Sequence, residues 1–118
     1  MKKALLLSAL VSMFLMQSCV QEEVVIVPIE PKLTAEIDYT YYTGLRWVEV
    51  EGEIVNRGNV PLKGAQIRYR LFNRDGYLIN TYFVDYDVLA DPGYGTYFYS
   101  EFPERYTYEV IADIRDLW

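Results

Sequence analysis

The sequence predicts an all-β protein, an antiparallel β-sandwich of about six or seven strands, and three observations lead to this prediction. Apolar and polar residues alternate along several short stretches, which is typical of strands that bury one face. Turn-forming Gly, Pro and Asn residues interrupt these stretches about every 8–12 residues. After the N-terminal region, no stretch predicts a helix.

The clearest element is a β-hairpin over residues 65–84. Ile67, Tyr69 and Leu71 alternate with polar residues, so we expect these three side chains to be buried. Asn73-Arg74-Asp75-Gly76 predicts the turn, because Asn suits the first position of a type I turn and Gly76 supplies a positive φ. Tyr77–Val84 is the predicted return strand, rich in β-branched and aromatic residues.

Two strands are predicted before the hairpin and two after it. The first strand alternates through Leu33, Ala35, Ile37, Tyr39 and Tyr41 and stops at Gly44. The second, Leu45–Asn56, has Val48, Val50 and Ile54 on one face and Glu49, Glu51 and Glu53 on the other, and Gly52 indicates a bulge or a close approach. The last two, Tyr94–Phe102 and Tyr106–Arg115, are joined through Pro103-Glu104-Arg105.

The N-terminus has the pattern of an export signal. Met1-Lys2-Lys3 precedes an apolar run to Met16 that is shorter than the roughly 20 residues of a membrane-spanning helix. The run ends at Leu15-Met16-Gln17-Ser18-Cys19, which resembles the lipobox of bacterial lipoproteins, with Met16 and Gln17 as departures. The resemblance implies a signal-peptide helix over residues 1–18 and acylation of Cys19, the only cysteine. The alternative is an ordinary signal peptide that contains a Cys.

A lipid on Cys19 implies attachment to a membrane of the bacterial cell envelope, facing the periplasm or the surface. In the enterobacterial sorting rule, an Asp after the Cys keeps a lipoprotein from the outer membrane. Val20 follows the Cys here, so by resemblance to that rule delivery to the outer membrane remains possible. Residues 19–31 are then a tether. Within it, Val24–Val27 is expected to pair as a short edge strand or to be covered by a partner. Residues 32–118 form the predicted domain.

Charge and composition exclude several functions. The whole chain has a net charge of −6, and removal of Lys2 and Lys3 makes the acidic excess larger. Such a surface repels phosphate backbones and anionic headgroups, so we expect no nucleic-acid partner. The chain has no His, which excludes a Ser-His-Asp triad and His-containing zinc sites. Ser100 is the only serine after Cys19 and has no histidine to activate it.

The hairpin also carries a family resemblance. Tyr69-Arg70-Leu71-Phe72-Asn73 resembles the F-x-L-Y-D signature of a small immunoglobulin-like β-sandwich domain found in prokaryotic secreted and lipid-anchored proteins. Val48-x-Val50-x-Gly52-x-Ile54-x-Asn56 is similar to the strand that precedes this signature, and Leu89–Gly93 to the L-x-P-G turn that follows it. Departures are Tyr69 for Phe, Phe72 for Tyr, Asn73 for Asp, and Tyr94 where the family has an acidic residue.

The resemblance implies an FxLYD-type immunoglobulin-like fold over residues 32–118 and no particular activity. It assigns structural roles to a set of motif residues: Tyr69, Leu71, Phe72, Asn73, Gly76, Pro92 and Gly93. A tyrosine corner of the kind seen in such sandwiches would fall at Tyr106 or Tyr108.

We therefore expect a non-enzymatic interaction or structural module with no catalytic residue and no cofactor, whose partner is an envelope protein or a glycan. Glu49, Glu51 and Glu53 either keep the protein soluble or bind a basic partner or a divalent cation. Arg68 and Arg70 should give the outer face of the other sheet the opposite sign. Tyr82, Tyr97 and Tyr99 either pack on the sheet or form an aromatic platform, as in a small carbohydrate-binding module.

Two weaker alternatives rest on carboxylates. Asp85, Asp87 and Asp91 are candidate oxygen ligands for Ca²⁺, although they lack the spacing of an EF-hand loop and also fit solvated turn residues. An envelope hydrolase would need two opposed acids such as Glu101 and Glu104 in a cleft.

Overall fold

The computed structural model describes residues 30–118, and Pro31–Trp118 form one compact unit. The described chain has six strands and no helix, so it contains no helix that could cross a membrane. The predicted all-β class is confirmed. The signal segment, Cys19 and Val24–Val27 lie outside the described residues. The strands are β1 Ala35–Thr43, β2 Val48–Asn56, β3 Leu62–Phe72, β4 Leu78–Ala90, β5 Gly95–Phe102 and β6 Glu109–Leu117.

The strands form two antiparallel three-stranded sheets, which we call sheet 1 (β1-β2-β5) and sheet 2 (β4-β3-β6). As predicted, β2 and β3 belong to different sheets. Their alternation is confirmed, because the residues expected inside are buried. Both sheets contribute to one apolar core, as expected of a sandwich. Its members include Val48, Val50, Ile54, Ile67, Tyr69, Leu71, Val88, Phe98, Phe102 and Val110.

The hairpin turn forms as predicted. The side-chain Oδ1 of Asn73 accepts hydrogen bonds from the backbone N–H of Asp75 at 3.0 Å and of Tyr77 at 2.9 Å. Gly76 has a φ of 84°, which a side chain would make costly. The register between β3 and β4 shifts at Leu71/Phe72, next to this turn, as in a hairpin that closes with a bulge. The return strand continues to Ala90, beyond the predicted Val84, because the inward alternation goes on through Val88 and Ala90.

Gly52 marks a close approach of strands rather than a bulge. The register between β1 and β2 is unbroken, with Gly52 opposite Tyr39. A Cβ added to Gly52 would lie 2.0 Å from the carbonyl oxygen of Asp38. Any side chain here would therefore push β1 away from β2.

Asn56 is a buried polar residue that joins two loops. Its Nδ2 donates to the carbonyl oxygens of Val60 at 2.8 Å and Ala90 at 2.9 Å, and its Oδ1 accepts from the N–H of Gly58 at 2.9 Å. Its own carbonyl accepts from the N–H of Gly93, in the turn after β4, at 2.9 Å. These bonds explain why an amide ends β2, since a buried polar group must be matched.

Tyr39 connects the two sheets at an edge. In sheet 2, β6 pairs with β3 on one side only. On the other side the Tyr39 hydroxyl donates to the carbonyl oxygen of Val110 at 3.3 Å and accepts from the N–H of Ala112 at 3.1 Å. A side chain of β1 therefore occupies the place that a further strand would take.

Candidate interaction surface

The outer face of sheet 1 is dominated by carboxylates and tyrosines, and we call it the acidic face. Strand alternation and the antiparallel register place these residues in three rows across the sheet. Each row takes one residue from β1, β2 and β5 in turn: Tyr42-Glu49-Glu101, Thr40-Glu51-Tyr99 and Asp38-Glu53-Tyr97.

Like charges lie directly opposite one another on this face. Glu49 pairs in register with Glu101, and Glu53 with Asp38. Like charges opposite each other on neighbouring strands destabilise a sheet. Within residues 30–118, the one ion pair on this face lies towards its end, where Arg57 Nε is 3.2 Å from Glu36 Oε2, and both side chains are exposed. The carboxylates in the three rows therefore remain available to a cationic partner.

The two β5 tyrosines of the acidic face, Tyr97 and Tyr99, are exposed but held in place. Tyr97 is 64% exposed and Tyr99 45%. Tyr97 donates to Glu51 Oε2 at 2.9 Å, and Tyr99 donates to Glu101 Oε2 at 3.4 Å. The hydrogen bond to Glu51 is the main reason why the pKa of Tyr97 is raised, whereas partial desolvation, followed by the charges of Glu49 and Glu101, raises the pKa of Tyr99. Both phenols are therefore neutral donors at physiological pH.

Shallow clefts run between these side chains. One of about 290 Å³ lies between β1, β2 and β5 and is lined by Asp38, Glu51, Glu53 and Tyr97. A second of about 150 Å³ is lined by Tyr42, Glu49, Glu51 and Tyr99. Glu51 borders both, so the clefts form one continuous acidic and aromatic surface.

Tyr82 does not join this surface. It lies in sheet 2 and packs against the core, with its ring stacked on Phe102 at a centroid distance of 4.4 Å. Its hydroxyl donates to Glu104 Oε1 at 2.6 Å. Desolvation and then this bond raise the pKa of Tyr82. Of the three tyrosines considered for an aromatic platform, only Tyr97 and Tyr99 therefore lie on the acidic face. On β4 the next residue, Phe83, is the one that faces outward.

The outer face of sheet 2 has mixed charge, so the expected basic face is not formed. Asp113 of β6 lies opposite Arg68 and accepts from its Nε at 2.9 Å and its Nη2 at 2.8 Å. Gln66 donates to Asp85 at 3.0 Å. Asp113 therefore neutralises Arg68, whereas Arg70 lies opposite Thr81 and Ile111 and has no acid across the sheet.

The structure does not bring the three candidate Ca²⁺ ligands together. Asp85 and Asp87 lie on one face of β4, whereas Asp91 follows the end of that strand. At about 3.3 Å per residue, Asp85 and Asp91 are about 15–20 Å apart. Within residues 30–118, no group of three or more Asp, Glu, Cys or His side chains is placed to hold a metal ion.

Ser100 faces the core and takes part in a chain of hydroxyls. The hydroxyl of Tyr86 on β4 hydrogen-bonds both to Tyr69 on β3 and to Ser100 on β5, which links sheet 2 to sheet 1. Burial is the main cause of the raised pKa of Tyr69 and of Tyr86. These phenols therefore remain protonated and cannot act as bases towards Ser100.

A second surface lies where three loops meet, and sequence reasoning missed it. The β1–β2 loop, the hairpin turn and the β5–β6 loop enclose a cleft of about 520 Å³, which we call the loop-end cleft. Tyr106 and Tyr108 line it and are exposed, so neither is a buried tyrosine corner. Tyr106 has a φ of 66°, which is rare for a bulky residue. The sequence signal was the presence of an arginine in each loop: Arg46, Arg74 and Arg105.

Comparison of the chain with protein-family models, with curated proteins and with solved structures gave no match.

Proposed function

We propose that the protein is a non-enzymatic, lipid-anchored module of the bacterial cell envelope, and that its acidic face binds a positively charged partner protein. The observation behind this proposal is the contrast in charge pairing. Acids on sheet 2 lie beside Arg68 and Gln66, whereas Glu49 and Glu53 on sheet 1 lie opposite further acids. The lipobox-like end at Cys19 supports the anchor. The order β1-β2-β5 matches the A-B-E order of strands in an immunoglobulin sheet.

Repulsion within the acidic face has no benefit for folding. Each like-charged pair opposes the sheet by roughly 0.2–1 kcal/mol. Solubility alone would be served equally well by acids spread over both sheets, where basic neighbours reduce the repulsion. Concentration of unpaired acids on one sheet favours a binding role.

The tyrosines make the face suited to lysine and arginine side chains. Because their hydroxyls are held by Glu51 and Glu101, the rings of Tyr97 and Tyr99 lose little freedom on binding. A cation placed over such a ring gains about 0.5–2 kcal/mol, and a neighbouring carboxylate adds to it. A basic segment that lies across β5 and β2 would contact both.

The test is titration of the purified protein with a decalysine peptide, followed by tyrosine fluorescence. We expect Glu49→Gln/Glu51→Gln/Glu53→Gln to weaken binding by about tenfold or more, because three charges are lost from the contact. The matched control is Asp85→Asn/Asp87→Asn/Asp91→Asn, which changes the net charge equally but away from sheet 1. It should change the affinity by less than about twofold.

Equal weakening by the two triple variants would show that the peptide senses only net charge, and would contradict a site on the acidic face. Recovery of a native partner from envelope membranes should follow the same order. Substitution of all three glutamates by Lys should abolish that recovery without lowering the melting temperature.

The lipid anchor is tested separately. We expect Cys19→Ser to leave the membrane fraction or to accumulate unprocessed, because no thiol remains for acylation. Fractionation of cells and mass measurement of the N-terminus would detect either result. A variant that stays on the membrane and is trimmed normally would contradict the anchor.

A second candidate function, binding of a neutral glycan, is favoured by the exposed neighbouring rings of Tyr97 and Tyr99 beside carboxylates that can accept hydroxyl protons. The probe is an N-acetylglucosamine trisaccharide. Binding that Tyr97→Ala and Tyr99→Ala remove, in a protein that ignores decalysine, would select this function over the first.

A further inference from the structure

We propose that the loop-end cleft is a binding site for a carboxylate-bearing sugar of an acidic glycan. This site is separate from the acidic face and does not depend on the function proposed for it. The topology brings together three loops that are distant in sequence, Gly44–Trp47, Asn73–Gly76 and Pro103–Tyr108, and their side chains enclose about 520 Å³. A volume of this size is in the range of small-molecule sites, which is about 300–1,000 Å³.

The cleft offers apolar surface that the fold leaves uncovered. Leu45 is 92% exposed and Tyr106 84%. The positive φ of Tyr106 is a conformation that bulky residues rarely adopt. Thr107, which also lines the cleft, is buried, and its Oγ1 has no hydrogen-bond partner within residues 30–118. Strained backbone conformations of this kind cluster at functional sites.

The charged side chains that line the cleft are Arg74 and Asp75. The Arg74 guanidinium lies 5.7 Å from the centre of the Tyr108 ring, which orients it at the cleft. Arg74 therefore offers a ligand a cationic contact in the cleft, and a guanidinium can bind a carboxylate through two parallel hydrogen bonds.

The carboxylate of Asp75 limits which anionic ligands fit the cleft. Its carboxylate lines the cleft next to Arg74. It would repel an acidic peptide or an anionic bilayer at the same point where Arg74 attracts it. A uronic acid avoids this conflict, because its carboxylate can bind Arg74 while its hydroxyls donate to Asp75. The C–H face of its ring can pack against the tyrosyl rings of Tyr106 and Tyr108.

The experiment compares trigalacturonic acid with its methyl ester, which has the same sugars without the charge. Each is titrated into the purified protein and followed by calorimetry. We expect saturable binding of the acid, and binding of the ester at least about tenfold weaker because the Arg74 ion pair is lost. Arg74→Gln should reduce binding of the acid by a similar factor and leave the ester unchanged. Arg57→Gln, which removes a cation elsewhere on the surface, should change neither.

A second variant protects the test from unfolding. Tyr106→Gly removes the ring, while Gly tolerates the φ of 66°, so the melting temperature should be kept and both ligands should bind more weakly. The proposal is overturned if the acid does not bind, or if acid and ester bind equally. It is also overturned if hexaglutamate binds more tightly than the acid, or if Glu49→Gln/Glu51→Gln/Glu53→Gln removes binding while Arg74→Gln does not.

Discussion

The outer faces of the two sheets are built from the same kind of strand and end with different electrostatics. On β3, Arg68 lies opposite Asp113 and forms an ion pair with it through two hydrogen bonds. On β2, Glu49 lies opposite Glu101, which is also an acid. The alternation of a strand decides which residues face outward, but the register with its neighbours decides whether their charges are neutralised. The lesson is that acids lying opposite acids, not charge itself, distinguish the candidate binding face.

The largest expected effect concerns the core that both faces share. Leu71 is fully buried, so Leu71→Ala should lower the free energy of unfolding by about 2–5 kcal/mol. The control, Arg70→Ala on the outer side of the same strand, should cost little. Denaturant melts of the two variants give the comparison, and the reverse order would contradict the orientation of β3.

The next effect concerns the hydrogen bonds by which Asn56 of sheet 1 contacts the end of β4 in sheet 2. Asn56→Ala should lower stability by about 1–3 kcal/mol, because it removes the amide that donates to the carbonyls of Val60 and Ala90. Asn59→Ala, in the exposed part of the same connection, is the control and should have a smaller effect. If thermal melts show a larger loss of stability for Asn59→Ala than for Asn56→Ala, the hydrogen bonds of Asn56 do not hold these loops together.

A third prediction concerns the hydroxyl chain between the sheets. The pKa values of Tyr69 and Tyr86 are raised in the folded state. Stability from these groups is therefore complete below the unfolded-state pKa of about 10 and is lost as the pH rises above it, at up to about 1.4 kcal/mol per pH unit for each tyrosine. Denaturant melts between pH 8 and about pH 11.5 would show this slope, and Tyr69→Phe should make it smaller. Parallel curves for the two proteins would contradict the assignment.

The smallest effects test the comparison of faces directly. Glu49→Gln should raise stability by a few tenths of a kcal/mol, since it removes repulsion from Glu101. Asp113→Asn should lower it by about 0.5–1 kcal/mol, since Arg68 loses its half-buried partner. Both changes remove one negative charge. Melts in low and high salt should show that the gain from Glu49→Gln becomes smaller as salt is added. A loss of stability in both variants would mean that the acids of sheet 1 stabilise the fold.

Local patterns in the sequence were sufficient for much of the fold. The period-2 runs located the strands, and Asn73 with Gly76 located the hairpin turn, because both signals act within a few residues. Strand ends were less accurate, as the extension of β4 to Ala90 shows. Gly52 was predicted as either a bulge or a close approach, and Asn56 was recognised only as a motif position, since the atoms that require them come from β1 and β4.

The candidate sites were less predictable because they depend on contacts between distant residues. Tyr82 and Tyr97 both lie on aromatic strands, yet one packs against Phe102 and the other faces solvent. The neutralisation of Arg68 needed Asp113, 45 residues later in the chain. The loop-end cleft joins three loops that no single stretch of sequence shows to be neighbours.

The position of the Tyr39 hydroxyl has a consequence for behaviour at high concentration. An open strand edge offers a template on which further chains can add and grow into fibres. At Val110 and Ala112 the template is already occupied by a phenol from the same molecule, and a phenol, unlike a strand, cannot pass the pairing on to a third chain. Where many copies are crowded together, this hydroxyl would end polymerisation along β6 before it starts, and its removal would turn an inert edge into an adhesive one.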